Sequence, residues 1–316
     1  MDFSHNKLSV LITYFNEKEL LKECIDSLLS SGNKPFEILI YDDKSSFPAI
    51  QYIPKEPIIK VITAKENRGP GFGRTTLLNS AKGNYIHFHD ADDLFHPDWL
   101  KYIVQTIERS SPDLILTGIE SRIGKEIKSS DVMGLNKMDL TDINLTKLGL
   151  SGSILVPSTT FRKKLGLLVG GYLPREILPQ SEDFHFHIAL AKEINTVEVI
   201  NKPLIYQRIR PNSHSNKAGQ LVCYTSALKA LNLLEDDLKI EYKYELAQSY
   251  SRIGYNLFVN GDKKNARIAF SKAKKYGIST FENRSKIFNL IAKNFNQELA
   301  ERISLNVQHA KKFVFK

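Results

Sequence analysis

Short apolar runs alternate with stretches of helical periodicity along the first third of the chain. The apolar runs of strand length are residues 8–12, 36–41, 58–63 and 85–88. Apolar residues at helical spacing, which predict helices with one buried face, occupy residues 17–31, 74–82 and 97–107. Unbroken apolar strands that alternate with helices favour an α/β domain built on a mainly parallel sheet.

Polar clusters follow three of these strands directly, at residues 13–17, 42–46 and 90–93. In parallel α/β sheets, ligands bind beyond the carboxyl ends of the strands. We therefore expect the three clusters to converge at one edge of the sheet. A Gly- and Pro-rich stretch, residues 66–73, is predicted to form a loop near them.

The most acidic of these clusters holds Asp90, Asp92 and Asp93. Carboxylates this close repel one another, which favours a positive charge between them. Oxygen ligands at the end of a strand suit Mg²⁺ or Mn²⁺ bound jointly with phosphate oxygens. A solvated acidic turn is the alternative that this cluster alone leaves open.

The pattern changes character in the second half of the chain. Strands are predicted at residues 113–117, 152–157, 196–200 and 204–209, with a polar excursion at 121–147, a helix after 179–184 and a basic loop at 208–215. From about residue 218 the period is helical, and residues 244–276 resemble one tetratricopeptide-like hairpin without a second copy. We therefore predict two domains, residues 1–216 and 217–316.

Charge is concentrated in the helical part. From residue 221 onward, 17 Lys and Arg stand against 9 Asp and Glu, which is nearly all of the net charge of +9. This surface either meets an anionic partner or is simply solvated. A nucleic-acid partner is disfavoured, because few aromatic residues interleave the basic ones and no nucleic-acid-binding motif appears. The tail 304–316 mixes apolar and basic residues, which would suit peripheral contact with an anionic membrane surface.

Six motifs in order resemble the family 2 glycosyltransferases with a GT-A fold, of the bacterial non-processive type. They lie at residues 13–17, at 42–45, at 66–69 together with Arg74, at 81–86, at 90–93 and at 182–183, so that the resemblance covers roughly residues 7–215. The processive subgroup's Gln-x-x-Arg-Trp motif is absent from the sequence, in which Trp99 is the only Trp.

The resemblance implies roles for the residues of these motifs. Asp42 or Asp43 would accept from the ring N–H of a base, Tyr14 would lie against the base, and Arg74 would lie near the base or the phosphates. Asp90 would meet the ribose, and Asp92, helped by Asp90 or Asp93, would hold a divalent metal. The full set implied for nucleotide binding is Thr13, Tyr14, Glu17, Asp42, Asp43, Arg74 and Asp90.

The resemblance also implies a catalytic pair and a diphosphate loop. The base would be Asp183 of the pair Glu182–Asp183, and a single displacement would invert the anomeric configuration. An acid at a helix N-terminus is also what stabilisation by the helix dipole produces. The loop residues implied to contact the diphosphate are Arg208, Arg210, Ser213 and His214.

The expected activity is transfer from a nucleotide sugar, UDP-linked by family frequency, to a glycan or lipid-linked acceptor of the cell surface. A GT-A scaffold without catalysis, which holds partners through its helical part, is the alternative. His87 and His89 leave a hydrolase metal site as a third interpretation. Two distant cysteines and the lack of a signal or membrane-spanning pattern indicate a cytoplasmic protein, peripheral at the inner membrane face if the tail binds lipid. Oligomeric state stays open, a homo-oligomer included.

Overall fold

The chain divides into two compact units, Met1–Ser213 and His214–Lys316. A computed structural model describes residues 7–30, 32–140, 142–210, 219–277, 288–289, 292 and 296–304. Within these ranges, all strands lie in the first unit, and the second unit is helical. No helix in the same ranges is both long and apolar enough to cross a membrane.

The first unit is organised around one mixed sheet, which has nine strands within the residues given above. The strands are β1 (Leu8–Tyr14), β2 (Glu37–Asp42), β3 (Ile59–Thr63), β4 (Tyr85–Asp90), β5 (Leu94–Phe95), β6 (Leu114–Ile123), β7 (Glu126–Ser129), β8 (Thr159–Arg162) and β9 (Val197–Arg208). Their order is β3-β2-β1-β4-β8-β6-β9-β5, and β7 pairs with β6. The β3-β2-β1-β4 half is parallel, and β6 pairs with β9 in parallel as well. The predicted mainly parallel α/β sheet is confirmed, with an antiparallel part around β8.

The helices of this unit are α1 (Glu19–Leu29), α2 (Pro70–Ser80), α3 (Trp99–Ser110), α4 (Leu145–Ser151), α5 (Lys163–Leu168) and α6 (Glu182–Ala191). As the sequence periodicity predicts, α1 buries a single face, formed by Leu21, Cys24, Ile25 and Leu28. These side chains join the strand residues in one hydrophobic core.

Helix α2 begins four residues earlier than the sequence pattern predicts. Pro70 occupies its first turn, where the missing N–H costs nothing, so part of the expected Gly/Pro loop is helical. The glycines in that turn serve close packing: a Cβ on Gly73 would lie 2.6 Å from the ring of Tyr41. The loop prediction for residues 70–73 is therefore wrong, because tertiary contact, rather than turn geometry, requires glycine there.

Residues 113–162 differ most from the prediction. Strand β6 runs to Ile123 and turns back into β7, so the predicted polar excursion starts as a hairpin. The stretch 152–157, predicted as a strand, contains the end cap of α4 and the start of a 3₁₀ turn, and the strand β8 follows it. Strand β9 joins the two predicted strands at 196–200 and 204–209, with an irregular register around Pro203.

The helical unit contains α7 (Gln220–Leu238), α8 (Lys243–Val259) and α9 (Lys263–Lys275). A polar network joins all three: Glu235 accepts hydrogen bonds from Lys272, from Tyr276 and, at 3.3 Å, from the Tyr250 hydroxyl. Burial alone would raise the pKa of Glu235, but the bonds from Lys272 and Tyr276 lower it overall. Part of the basic composition therefore serves internal structure. Most of the basic tail, residues 305–316, lies outside the residues described.

Candidate active site

The carboxyl ends of the parallel strands meet at one edge of the sheet. The register pairs Tyr14 with Asp42 and Thr13 with Asp90. The clusters that follow β1, β2 and β4 are therefore neighbours, as the sequence predicts. Thr13 itself is half-buried, and its methyl group lies close to Gly73 of α2.

Tyr14 faces the protein core. The residue is 2% exposed. Its hydroxyl donates to the carbonyl of Phe47 at 2.7 Å and accepts from the backbone N–H of Lys18 at 3.3 Å. Burial raises the pKa of Tyr14 to about 12. The expectation that this ring lies against a nucleotide base is therefore wrong, since its faces are packed inside the domain.

Asp42 and Asp43 brace the turns at this edge. Asp42 accepts from the backbone N–H groups of Ser45 and Ala49, at 2.9 and 2.8 Å. Asp43 accepts from those of Arg68 and Gly69, both at 2.8 Å. Each carboxylate oxygen thus already has a backbone partner. Recognition of a base by one of these acids stays a prediction that uses the remaining lone pairs.

The three acids of the 90–93 cluster have different surroundings. Asp90 accepts from Arg74 at 3.0 Å. Burial raises the pKa of Asp90, Arg74 lowers it, and Asp92 and Asp183 raise it further. Asp93 is buried, and its carboxylate accepts from the backbone N–H of Arg208 at 2.9 Å.

Asp93 is the most deeply buried acid of the cluster. Burial raises its pKa well above the usual range, and the charges of Asp92 and Asp90 add to that effect. Its carboxyl group already accepts from the backbone N–H of Arg208. That Asp93 helps Asp92 to hold the metal stays a prediction.

Asp92 is partly exposed, as Asp90 is, and the charge of Arg210 neutralises it. The guanidinium of Arg210 donates to Asp92 through Nη2 and, at 3.1 Å, through Nε. Its Nη1 donates to Glu17 at 2.9 Å. Glu17, expected to bind nucleotide, is therefore a partner of Arg210 in this structure.

Arg208 does not share this arrangement. Its guanidinium pairs with Glu23 of α1, and the expectation that it contacts a diphosphate stays a prediction. Ser213 and His214, the other expected loop contacts, lie outside the residues described. The two described loop residues both lie beside the acidic cluster: Arg210 contacts it through its side chain and Arg208 through its backbone N–H.

The acids fit a divalent cation that is shared with a ligand. Among the residues described, no group of three or more His, Cys, Asp and Glu side chains is arranged to hold a metal ion. Mg²⁺, however, is commonly held by one or two carboxylates together with substrate phosphates. The Asp92 side chain, 23% exposed and already paired with a cationic group, offers such an oxygen.

Glu182 and Asp183 open α6 and have different environments. Glu182 is buried and accepts from Arg74 Nη1 at 2.8 Å. Asp183 is half-buried, and its Oδ1 accepts from the backbone N–H of Phe184 at 2.8 Å. Of these two acids, Asp183 is the one that is accessible to solvent and is not in an ion pair with Arg74.

The histidines do not form the metal site of a hydrolase. His87 and His89 share a face of β4, as predicted, but both are buried beside Phe95, with His87 also against Trp99. Burial lowers the pKa of His87 to about 3. Burial likewise lowers the pKa of the buried His187 on α6, to about 4. These side chains are core groups.

Sequence reasoning missed the ion triad of Arg74, Asp90 and Glu182. Arg74 was expected to meet the nucleotide, but it is buried between the two carboxylates. The ring of Tyr172 lies 5.2 Å from its guanidinium carbon. No local pattern could reveal these contacts, since Glu182 is 108 residues from Arg74 in sequence.

The family of the chain follows from a direct match. Residues 9–164 match the sequence signature of glycosyl transferase family 2. The chain belongs to this family. The match includes the cluster 90–93 and ends before Glu182, so the role of the acidic pair stays a prediction.

Two curated relatives show the range of similarity. An uncharacterized glycosyltransferase of Haemophilus influenzae is 23% identical over 274 residues, which cover 85% of this chain and 90% of the relative. The poly(ribitol-phosphate) beta-N-acetylglucosaminyltransferase TarS of Staphylococcus aureus is 24% identical over 254 residues, 77% of this chain and 43% of TarS. The chain thus spans less than half the length of TarS.

Solved structures share the GT-A fold expected for the chain. S. aureus TarS 1–349 in complex with UDP superposes with a TM-score of 0.67 at 20% identity, covering 95% of this chain and 91% of that one. A mannosyltransferase of Pyrobaculum calidifontis in complex with GDP-Man and Mn²⁺ gives 0.53 at 14% identity, covering 95% and 87%. At these identities, the likeness shows the fold.

Because Arg210 contacts Asp92, we expect replacement of Arg210 to have opposite effects on the binding of Mn²⁺ alone and of UDP with Mn²⁺. We expect Arg210→Gln to bind Mn²⁺ alone about fivefold more tightly, because a partly exposed ion pair worth up to about 1 kcal/mol no longer competes for Asp92. We expect the same variant to bind UDP with Mn²⁺ more weakly, because the guanidinium would otherwise turn to the diphosphate. Isothermal titration calorimetry with each ligand measures both.

The control for this prediction is Arg109→Gln, which removes an exposed arginine that pairs with Glu198 at 2.8 Å. This variant should bind Mn²⁺ and UDP like the wild type. If Arg210→Gln weakens binding of both ligands, Arg210 does not compete with the metal for Asp92.

Proposed function

We propose that this glycosyltransferase moves a sugar from a UDP-sugar donor to a hydroxyl of a glycan or lipid-linked acceptor, with inversion and with Mg²⁺ or Mn²⁺. One observation carries the proposal: Asp92 and Asp183 both lie near enough to Asp90 for their charges to raise its pKa, and Arg74 joins Asp90 to Glu182, the neighbour of Asp183. An oxygen ligand for a metal–diphosphate and a candidate base thus belong to one site.

The acceptor side of the reaction is assigned to Asp183. Its carboxylate would take the proton of the acceptor hydroxyl while that oxygen attacks the anomeric carbon. The new C–O bond forms as the bond to the diphosphate breaks, and the electron pair leaves with the diphosphate. Because attack and departure occur on opposite faces, a single displacement inverts the configuration.

The donor side is assigned to Asp92 and Arg210. A bound divalent cation would neutralise the charge that grows on the leaving diphosphate. Arg210, freed from Asp92, would donate its planar pair of N–H groups to phosphate oxygens, for which its geometry is suited. Asp90, held by Arg74, would present its second oxygen to the ribose.

The relatives support the substrate class. TarS is named for transfer of N-acetylglucosamine to poly(ribitol-phosphate), and a fragment of it was solved with UDP. Another relative is named for succinoglycan biosynthesis. We therefore propose a cell-surface polysaccharide or its lipid-linked precursor as acceptor, with residues 1–216 as the catalytic domain and a cytoplasmic site of action, peripheral at the inner face of the membrane. The Mn²⁺ complex of the mannosyltransferase supports metal use.

Donor binding and hydrolysis test the proposal without knowledge of the acceptor. UDP-glucose, UDP-N-acetylglucosamine, UDP-galactose and GDP-mannose are each incubated with the full chain and Mn²⁺, and release of the nucleoside diphosphate is measured. We expect one donor to be turned over and the reaction to stop when EDTA is added. If none of these donors binds or reacts at any Mn²⁺ concentration, the alternative of a GT-A scaffold that binds partners takes precedence.

A further inference from the structure

Arg74 is the residue that joins the two sides of the site. Its Nη2 donates to Asp90 at the end of β4, at 3.0 Å, and its Nη1 donates to Glu182 in the first turn of α6, at 2.8 Å. Arg74 is 7% exposed and Glu182 is 8% exposed. One planar guanidinium therefore bridges a strand end and a helix start inside the protein.

The triad is electrostatically interdependent. A buried guanidinium is costly unless carboxylates compensate it. Burial alone would lower the pKa of Arg74, but Asp90 and Glu182 raise it overall. In turn, burial raises the pKa of Glu182, and Arg74 opposes that shift. Removal of Arg74 would leave both carboxylates without their shared counter-ion, and their positions would no longer be coupled.

The frame around Arg74 leaves it little freedom. Thr75 Oγ1 accepts from the backbone N–H of Tyr172 at 2.8 Å and donates to its carbonyl at 2.9 Å. A Cβ on Gly71 would lie 2.5 Å from the carbonyl oxygen of Leu173 and 3.1 Å from Glu182 Cγ. Helix α2 is thus packed closely against the segment that leads into α6, so the backbone that carries Arg74 has little freedom to move.

These contacts occupy Arg74 with protein carboxylates rather than leaving it for a ligand. We propose that Arg74 is a positioning residue that sets the base Asp183, through its neighbour Glu182, in register with the donor-binding Asp90. The inference rests on the proposed function. In-line attack needs the base, the acceptor oxygen and the anomeric carbon aligned, and a misplacement of about 1 Å can cost about 100-fold in rate. A single side chain that touches both sides can supply that alignment.

The test separates turnover from binding. For Arg74→Gln we expect the Kd of UDP with Mn²⁺, measured by calorimetry, to stay within about threefold, and the kcat of donor hydrolysis to fall about 100-fold. If the wild type uses GDP-mannose as its donor, the calorimetry is done with GDP instead of UDP. Calorimetric stoichiometry reports the folded fraction, so a variant that has merely lost structure shows reduced stoichiometry instead. Arg109→Gln, the exposed arginine of an ion pair on α3, is the matched control and should keep both values.

A double-mutant cycle tests whether Arg74 acts through Glu182. If it does, Arg74→Gln combined with Glu182→Gln should lower kcat no further than Arg74→Gln alone. Glu182→Gln keeps the side-chain volume, so it also serves if loss of the buried arginine prevents folding. In that case it is paired with Arg74→Lys, which keeps the charge but lacks the fork that reaches both partners.

Two results would overturn the inference while the proposed function stands. Loss of UDP binding in Arg74→Gln, in proportion to the loss of kcat, would show that Arg74 serves donor binding. If the kcat of the double variant falls by the product of the two single-variant losses, Arg74 and Glu182 act independently. A wild-type chain that turns over no nucleotide sugar overturns the proposed function, and the inference with it.

Discussion

Asp183→Asn should abolish turnover of the donor while leaving nucleotide binding intact. We expect kcat to fall by about 10²–10⁴, the range that a positioned general base contributes. The amide has nearly the same shape, and its oxygen can still accept from the backbone N–H of Phe184, the contact made by Oδ1 now. It cannot take a proton from the acceptor hydroxyl. Steady-state rates and calorimetry with UDP and Mn²⁺ measure the two effects.

Two controls sharpen this prediction. Asp98→Asn changes an exposed acid at the start of another helix, directly before α3. This variant should leave kcat unchanged. Glu182→Gln should reduce kcat less than Asp183→Asn, because Glu182 is buried and held by Arg74 and therefore acts on position. Equal losses in Glu182→Gln and Asp183→Asn, or a larger loss in Glu182→Gln, would refute the assignment of the base to Asp183.

Asp92→Ala should remove metal-dependent nucleotide binding. Asp92 is the partly exposed carboxylate that pairs with Arg210, so its loss would remove the proposed cation ligand and leave Arg210 with Glu17. We expect the Kd of UDP in the presence of Mn²⁺ to rise by at least about 100-fold, the upper end of the effect of removing a residue that merely supports a metal ligand. UDP binding by the variant should no longer respond to EDTA.

Asp93→Asn tests whether the acid next to Asp92 is also a metal ligand. Burial raises the pKa of Asp93 well above the usual range, and the remaining role of its carboxyl oxygen is to accept from the backbone N–H of Arg208. An amide oxygen can do the same, so metal-dependent UDP binding should change little. If Asp93→Asn loses binding as completely as Asp92→Ala, Asp93 is a ligand after all, and the site must rearrange when the metal binds.

Local sequence patterns predicted the elements whose signal lies within a few residues. The apolar periodicity of α1 and the unbroken strands β1 to β4 have the predicted type. Predictions that depended on Gly and Pro as loop signals were less accurate. Helix α2 includes Pro70, Gly71 and Gly73, because neighbouring segments approach its first turn too closely for a side chain.

For the site, sequence by itself determined which residues line the sheet edge, because the carboxyl ends of parallel strands must meet. It could not determine which acids are accessible. Asp90, Asp92 and Asp93 look equivalent in sequence, and burial together with Arg74, Arg210 and the Arg208 backbone makes them different.

The partners of the acids come from segments that are distant in sequence, and tertiary structure alone brings them together. Arg74 reaches Glu182 across 108 residues and Arg210 reaches Asp92 across 118. The charge state and the role of a carboxylate depend on desolvation and on its nearest counter-ion. Both are properties of the folded packing, which is why the sequence predicts the chemistry of this edge and the tertiary structure assigns the individual roles.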